Sequence, residues 1–160
     1  MSASWVTSRG NARAAKIQAE SSALADHQNR VRESRRTAYL TFIEQAHITG
    51  ELYFRLGDVY AQVTDPDEQL ARIQKLRIDL RDAFDPLMRA GRVVLLEGPP
   101  PAAETAKAVS QAASDVNTAL WKISLGQDGA RDRFDAAHQA FRMEVDKFIE
   151  SAQTAMTGWR

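Results

Sequence analysis

Residues 39–63 read YLTFIEQAHITGELYFRLGDVYAQV and carry an apolar or small side chain at alternating intervals of three and four. The series consists of Tyr39, Phe42, Ala46, Thr49, Tyr53, Leu56, Tyr60 and Val63. This spacing places one face of a helix against neighbouring helices, as at the a and d positions of a bundle. It predicts a core helix that turns Glu44 and His47 toward the solvent. Gly50 and Gly57 lie beside the buried face, and we expect a neighbouring helix to approach closely at both.

A second helical pattern follows immediately. The run Asp65-Pro66-Asp67-Glu68 is typical of a helix start, since Asp65 can cap it, Pro66 fits its first position and Glu68 completes a capping box. The apolar or small positions that follow are Leu70, Ile73, Leu76, Leu80, Phe84, Leu87, Gly91 and Val94. Pro86 lies among them, and we expect it to kink the helix without ending it, because the apolar period resumes in phase.

Two more helices are indicated beyond the stop at Gly98-Pro99-Pro100-Pro101, separated from each other by the turn Gly126-Gln127-Asp128-Gly129. Their apolar or small positions are Ala102, Ala106, Val109, Ala113, Val116, Leu120 and Ile123, then Phe134, Ala137, Phe141, Val145, Phe148, Ala152, Met156 and Trp159. No run of alternating β-branched residues predicts a strand. We therefore predict an all-α fold: an antiparallel four-helix bundle of residues 39–160, with a long N-terminal helix extending beyond it.

Residues 1–38 are predicted to form a basic helical arm that continues into the first bundle helix. They carry seven basic and three acidic side chains, a net charge of +4, in a chain whose 21 basic and 21 acidic residues balance. Ile17, Leu24 and Val31 recur every seven residues, but the positions between them are Ser21, Gln28 and Arg35. Half of a coiled-coil seam favours weak or conditional pairing. We take Ile17, Leu24 and Val31, here named the apolar column, as a candidate oligomer interface.

The same arm offers a candidate basic contact patch, formed by Arg30, Arg32, Arg35 and Arg36. Such a group can meet anionic lipid headgroups or a nucleic-acid backbone. The four side chains are spread around the helix, with Glu33 among them. Residues 11–38 contain no aromatic side chain for base stacking, which disfavours nucleic acid as the partner.

Few features of the sequence indicate catalysis. Without cysteine, the chain has no thiolate zinc site, cysteine nucleophile or disulfide. Glu44-Gln-Ala-His47 and Asp135-Ala-Ala-His138 have the spacing of di-iron ligands in ferritin-like bundles, but the first pair faces away from the core and the second begins with Asp. No glycine-rich phosphate loop and no nucleophile elbow is present. We predict no catalytic residue, no metal and no cofactor.

Two segments resemble a family of small helical proteins. Residues 7–15, TSRGNARAA, resemble the segment that follows a membrane helix in uncharacterised small proteins of high-GC bacteria, and residues 35–42, RRTAYLTF, resemble their next recurring element. The resemblance implies a helical layout and no particular activity. The membrane helix is absent from this sequence, so either the chain starts downstream of it or this member is soluble. In the first case the arm would be a juxtamembrane stalk on the cytoplasmic side.

Together these features predict a non-enzymatic interaction or scaffold protein. It would self-assemble as a homo-oligomer, or be tethered to a protein or an anionic membrane surface, through its N-terminal arm. The alternative is a ligand-binding or sensory bundle with an aromatic pocket, lined by Tyr39, Tyr53, Phe54, Tyr60, Trp121 and Trp159. No apolar run approaches the ~18–20 residues of a membrane span, and we expect a cytoplasmic protein, either free or peripheral to the membrane.

Overall fold

The computed structural model describes the backbone of residues 4–158 and the side chains of residues 8–158. The described backbone forms four helices and no strand: α1 Ser4–Gln62, α2 Pro66–Glu97, α3 Pro100–Ser124 and α4 Ala130–Thr157. The prediction of an all-α fold with four helices is confirmed. Trp159, expected on the fourth helix, lies outside the described residues.

The helix boundaries follow the local chemistry of the sequence. Asp65 caps α2, because its Oδ2 accepts a hydrogen bond from the backbone N–H of Glu68 at 2.9 Å and Pro66 occupies the first turn. As expected, α2 continues through Pro86 to Glu97. Gly10 lies inside α1. A single glycine costs a helix only about 1 kcal/mol.

The turn between α3 and α4 depends on two glycines. Gly126 and Gly129 both adopt a φ of 69°, in the left-handed region that other residues enter only at a cost. The backbone N–H of Gly126 donates to the carbonyl of Ile123 at 2.9 Å, which closes the end of α3. The turn is therefore short enough to bring α4 back along α3.

Side-chain contacts show that consecutive helices run in opposite directions. The rings of Phe42 and Phe148 lie 4.8 Å apart, and those of Tyr53 and Phe134 lie 6.2 Å apart, so α1 and α4 are antiparallel. On α2, Gly91 lies against both Phe42 of α1 and Ser110 of α3. Arg55 of α1 lies 3.9 Å from Asp79 of α2, and Arg77 of α2 donates to Ser124 of α3 at 3.3 Å, so α2 is antiparallel to both neighbours. Residues 36–160 thus form an up-down-up-down bundle.

The core of this bundle is built largely from the predicted positions. Phe42, Tyr53, Leu56, Phe141 and Phe148 are all at most 2% exposed. The burial of these four aromatic residues from α1 and α4 supplies much of the apolar area that stabilises a bundle of this size.

Three expected core residues are instead exposed: Tyr60 by 36%, Leu70 by 43% and Met156 by 37%. The cause at Tyr60 is the helix period. A strict seven-residue repeat drifts by about 20° per heptad on a straight helix, so the buried position moves back from Tyr60 to Val59, which is 8% exposed. Leu70 and Met156 lie near the ends of their helices, where fewer neighbours cover a side chain.

Contacts between residues divide the chain into two compact units, residues 1–35 and residues 36–160. The first unit contains only helical residues of α1 among those described. The second contains the bundle and its whole core, including Ala38, which is 4% exposed.

The expectation that two glycines of α1 mark close approaches is right for one of them. A Cβ added at Gly50 would lie 3.6 Å from Cε1 of Phe141, in ordinary contact with α4. A Cβ at Gly57 would meet nothing within 4 Å. The tightest approach of a glycine to another helix is at Gly91 of α2, where a Cβ would lie 3.2 Å from Cε2 of Phe42 and 3.3 Å from Oγ of Ser110.

Gly57→Ala should raise the free energy of unfolding by about 1 kcal/mol, because alanine is the better helix former and the new methyl group has open space. Gly91→Ala should lower it by on the order of 1 kcal/mol, because the methyl group crowds a packed contact. Urea denaturation followed by far-UV circular dichroism measures both. Changes of the same sign would contradict this account of the two positions.

Candidate functional site

The apolar column lies on an exposed stretch of helix. Ile17 and Leu24 are each 58% exposed, and Val31 is half-buried. Every described side chain from residue 8 to residue 30 is exposed. This stretch therefore presents apolar side chains at seven-residue spacing to the solvent.

The four arginines of the candidate basic patch are divided between the two units. Arg30 and Arg32 are exposed and Arg35 is half-buried in residues 1–35, whereas Arg36 is exposed in residues 36–160. Nε of Arg30 donates to the carbonyl of Asp26 at 3.4 Å, one helical turn away. Because these arginines belong to two units that are described separately, the basic contact patch stays a prediction.

Tyr53 of α1 contacts side chains and backbone of α3 and α4. Its ring makes edge-on contacts with Phe141 at 5.2 Å, His138 at 5.5 Å and Phe134 at 6.2 Å, all on α4. Its hydroxyl lies 3.1 Å from the carbonyl oxygen of Ala113 and 3.1 Å from Oδ1 of Asn117, both on α3. Burial raises the pKa of the Tyr53 phenol, so the hydroxyl stays protonated and serves as a hydrogen-bond donor.

His138 of α4 lies beside Tyr53 in an aromatic environment. Its ring packs against Phe54 at 4.8 Å, and its Nε2 is buried with no hydrogen-bond partner among the described residues. Burial lowers the pKa of His138, the charge of Arg142 lowers it further, and Asp135 acts in the opposite direction. The neutral form of the His138 imidazole is therefore favoured, and the ring packs against aromatic side chains.

The carboxylates and histidines considered as metal ligands do not converge. Glu44 is exposed, and the side chain of His47 is 79% exposed, with Nε2 at 3.8 Å from Glu51. Asp135 is exposed and pairs with Arg131 at 3.3 Å. Among the described residues, no three His, Cys, Asp or Glu side chains lie close enough together to hold a metal ion.

The aromatic residues considered for a ligand pocket are dispersed. Tyr53 is buried in the core, whereas Phe54 and Tyr60 are exposed, and the guanidinium of Arg131 lies over the Tyr60 ring at 4.3 Å. Tyr39 lines an apolar cavity of 410 Å³ between α1 and α4, and Trp121 lines one of 230 Å³ between α2 and α3. The expected set does not form one pocket.

A surface that the sequence analysis did not anticipate lies between α2 and α3. Two adjoining cavities of 670 Å³ and 230 Å³ share Phe84 and form what we call the α2–α3 groove. Its lining includes Arg77, Arg81, Phe84, Asp85, Met88, Gly91, Arg92 and Leu95 from α2 and Glu104, Ala106, Lys107, Ser110, Gln111, Ser114, Asn117 and Trp121 from α3. The sequence feature that indicates this groove is the row Ala106, Ser110 and Ser114. Their small side chains, spaced four residues apart, leave a depression along one face of α3.

Comparisons with known proteins found no relative: no family model, no curated protein and no solved structure matches the chain. None of the described helices combines the length and the apolar character that a membrane crossing requires.

Tyr53→Phe should lower the free energy of unfolding by about 1–2 kcal/mol, because the buried acceptors on α3 lose their donor while the ring contacts remain. Tyr60→Phe is the matched control, since that ring is exposed, and it should change stability by less than about 0.5 kcal/mol. Equal effects of the two substitutions in urea denaturation would refute the role given to the Tyr53 hydroxyl.

Replacing His138 by Gln should remove part of the acid sensitivity of the fold. Because the pKa of His138 in the folded protein lies below its usual value of 6.5, the unfolded chain binds the proton first and stability falls as the pH drops through that value. The loss of unfolding free energy between about pH 7.5 and about pH 5.5, roughly one unit above and below the ordinary imidazole pKa, should be smaller in His138→Gln than in the parent. An identical profile for His138→Gln and the parent protein would reject the assignment.

Proposed function

We propose that the protein is a non-enzymatic, all-α assembly protein that associates with a second copy of itself through the N-terminal arm. The observation that carries this proposal is the exposure of Ile17 and Leu24 on a helix whose described side chains from residue 8 to residue 30 are all exposed. The bundle of residues 36–160 provides the folded body that such an arm would join.

A helix that buries almost none of its side chains is only marginally stable. Helix nucleation is unfavourable, and most helical stability in proteins comes from the packing of an apolar face. Glycine at position 10 and the many polar residues of the arm weaken its intrinsic preference further. Pairing along Ile17, Leu24 and Val31 would supply the missing packing, since each buried aliphatic side chain contributes about 1.5–3 kcal/mol.

Charge sets a limit on this pairing. Each arm carries seven basic and three acidic side chains within residues 1–38, so two arms repel each other at low ionic strength. Added salt screens that repulsion within a Debye length of about 10 Å at 0.1 M. Assembly through the arm should therefore strengthen with salt, the opposite of what a basic arm bound to an anionic surface would do.

The ligand-binding alternative has less support. Its aromatic residues are divided among the core, two different cavities and the exposed surface. The exposed His47 and the separated Asp135 likewise give acid–base chemistry no shared site.

Replacing Ile17, Leu24 and Val31 together by serine should reduce the mass of the full chain in light scattering to that of one copy, 17.8 kDa. The parent protein should give a multiple of that mass, which rises further with added salt. Far-UV circular dichroism should retain the signal of the bundle, because the substitutions lie outside its core.

The matched control replaces Ala12, Ala19 and Ala25 by serine, which adds three serines to the same helix away from the apolar column. It should keep the parent mass. If the parent is already a single copy at high salt, the assembly proposal fails. If it is a single copy that sediments with anionic vesicles, and salt releases it, the arm is a membrane tether instead.

A further inference from the structure

The α2–α3 groove has the dimensions of a helix-docking site. On α2 its lining extends from Arg77 to Leu95, which at 1.5 Å per residue is about 27 Å. A helix of about 18 residues has the same length. The groove is continuous along this distance, because Phe84 belongs to both of its cavities.

The groove has a small floor and apolar walls. Gly91 of α2 and Ser110 of α3 lie so close that a Cβ on the glycine would be 3.3 Å from the serine Oγ. Above this floor stand Phe84 and Met88, both half-buried, and Leu95, which is 38% exposed. Apolar side chains at such helical intervals match the anchors of an amphipathic helix laid into a groove.

The charged side chains of the groove are mostly basic. Four of them, Arg77, Arg81, Arg92 and Lys107, compare with two acidic ones, Asp85 and Glu104. Lys107 is paired with Glu104 at 3.3 Å, and Arg77 donates to Gln74 at 3.0 Å and to Ser124 at 3.3 Å.

Arg81 and Arg92 remain as the cations available to a partner. Neither belongs to an ion pair within the part of the chain that the structure describes, and both are exposed. Asp85, one turn from Arg81, offsets some of its charge, so Arg92 presents the stronger positive field. The two arginines stand about three helical turns apart, one near each end of the apolar stretch.

We propose that the α2–α3 groove binds an acidic amphipathic helix of a partner protein. Its apolar anchors would pack along Phe84, Met88 and Leu95, and its carboxylates would pair with Arg81 and Arg92. Charge complementarity selects this occupant, because a basic helix, such as the arm of a second copy, would meet like charge at both ends. The groove is formed by residues of the unit 36–160, whereas the apolar column belongs to residues 1–35.

The experiment compares three fluorescent helical peptides in anisotropy titrations against the full chain. The first has leucine at positions i, i+4, i+7 and i+11 and glutamate on the flanks of that face. The second replaces each glutamate by lysine, and the third is residues 8–35 of this protein. The glutamate peptide should bind at least about tenfold more tightly than either of the others, and added salt should weaken it.

Adjacent leucines of α2 supply a matched pair of variants. Leu95 lines the groove, whereas Leu96 is 85% exposed and lies outside its lining. Leu95→Glu should weaken the glutamate peptide by about tenfold or more, and Leu96→Glu by less than about twofold. Arg81→Glu with Arg92→Glu changes only exposed side chains and should reverse the preference, so that the lysine peptide becomes the tighter ligand.

Each contrary result overturns the proposal. Equal affinity for the glutamate and lysine peptides, or equal effects of Leu95→Glu and Leu96→Glu, would mean apolar adhesion without recognition. Tighter binding of the residue 8–35 peptide would assign the groove to a second copy of this chain, and absence of binding by all three would exclude a helix site. Light scattering measures assembly separately, so failure here is distinguishable from failure of the arm proposal.

Discussion

The Tyr53 side chain joins three helices, and the rest of the bundle is arranged around it. Its ring contacts Phe134, His138 and Phe141 of α4, while its hydroxyl reaches Ala113 and Asn117 of α3. A buried hydroxyl is costly unless it is hydrogen-bonded, so this contact fixes both the height and the rotation of α1 against α3. The bulk of the ring then determines where α4 can pack. Apolar burial alone would leave the helices freer to slide.

Much of this architecture is predictable from the sequence, because it depends on local chemistry. The α2 start at Asp65 and Pro66 is read directly from capping rules, and the break at Gly98 and Pro99 from the two strongest helix breakers. The buried faces of α1 and α3 follow from apolar periodicity. The prediction of a buried Tyr60 is wrong because a strict seven-residue repeat drifts away from the 3.6-residue period of the helix by its end.

The α2–α3 groove could not be predicted by the same reasoning. Ser110 and Ser114 are polar, so an apolar template ignores them, and Phe84 fits a core position equally well whether it is covered or half-exposed. The groove exists because α3 presents small side chains beside large ones on α2, a property of two helices together. Gly57 likewise shows that a glycine in the sequence does not by itself predict a close contact between helices. A glycine is compatible with a close neighbour, as at Gly50, and also with none.

The pair of left-handed glycines at the α3–α4 turn also affects the order in which the bundle forms. Gly126 and Gly129 let the chain reverse within a few residues, so closing the α3–α4 hairpin costs little chain entropy. The hydrogen bond from Tyr53 to Ala113 instead closes a loop of sixty residues. Contacts of short sequence separation form first when topology governs the rate. Contacts between consecutive helices, which are joined by turns of two to five residues, therefore cost less chain entropy than the docking of α1 onto α3 through Tyr53.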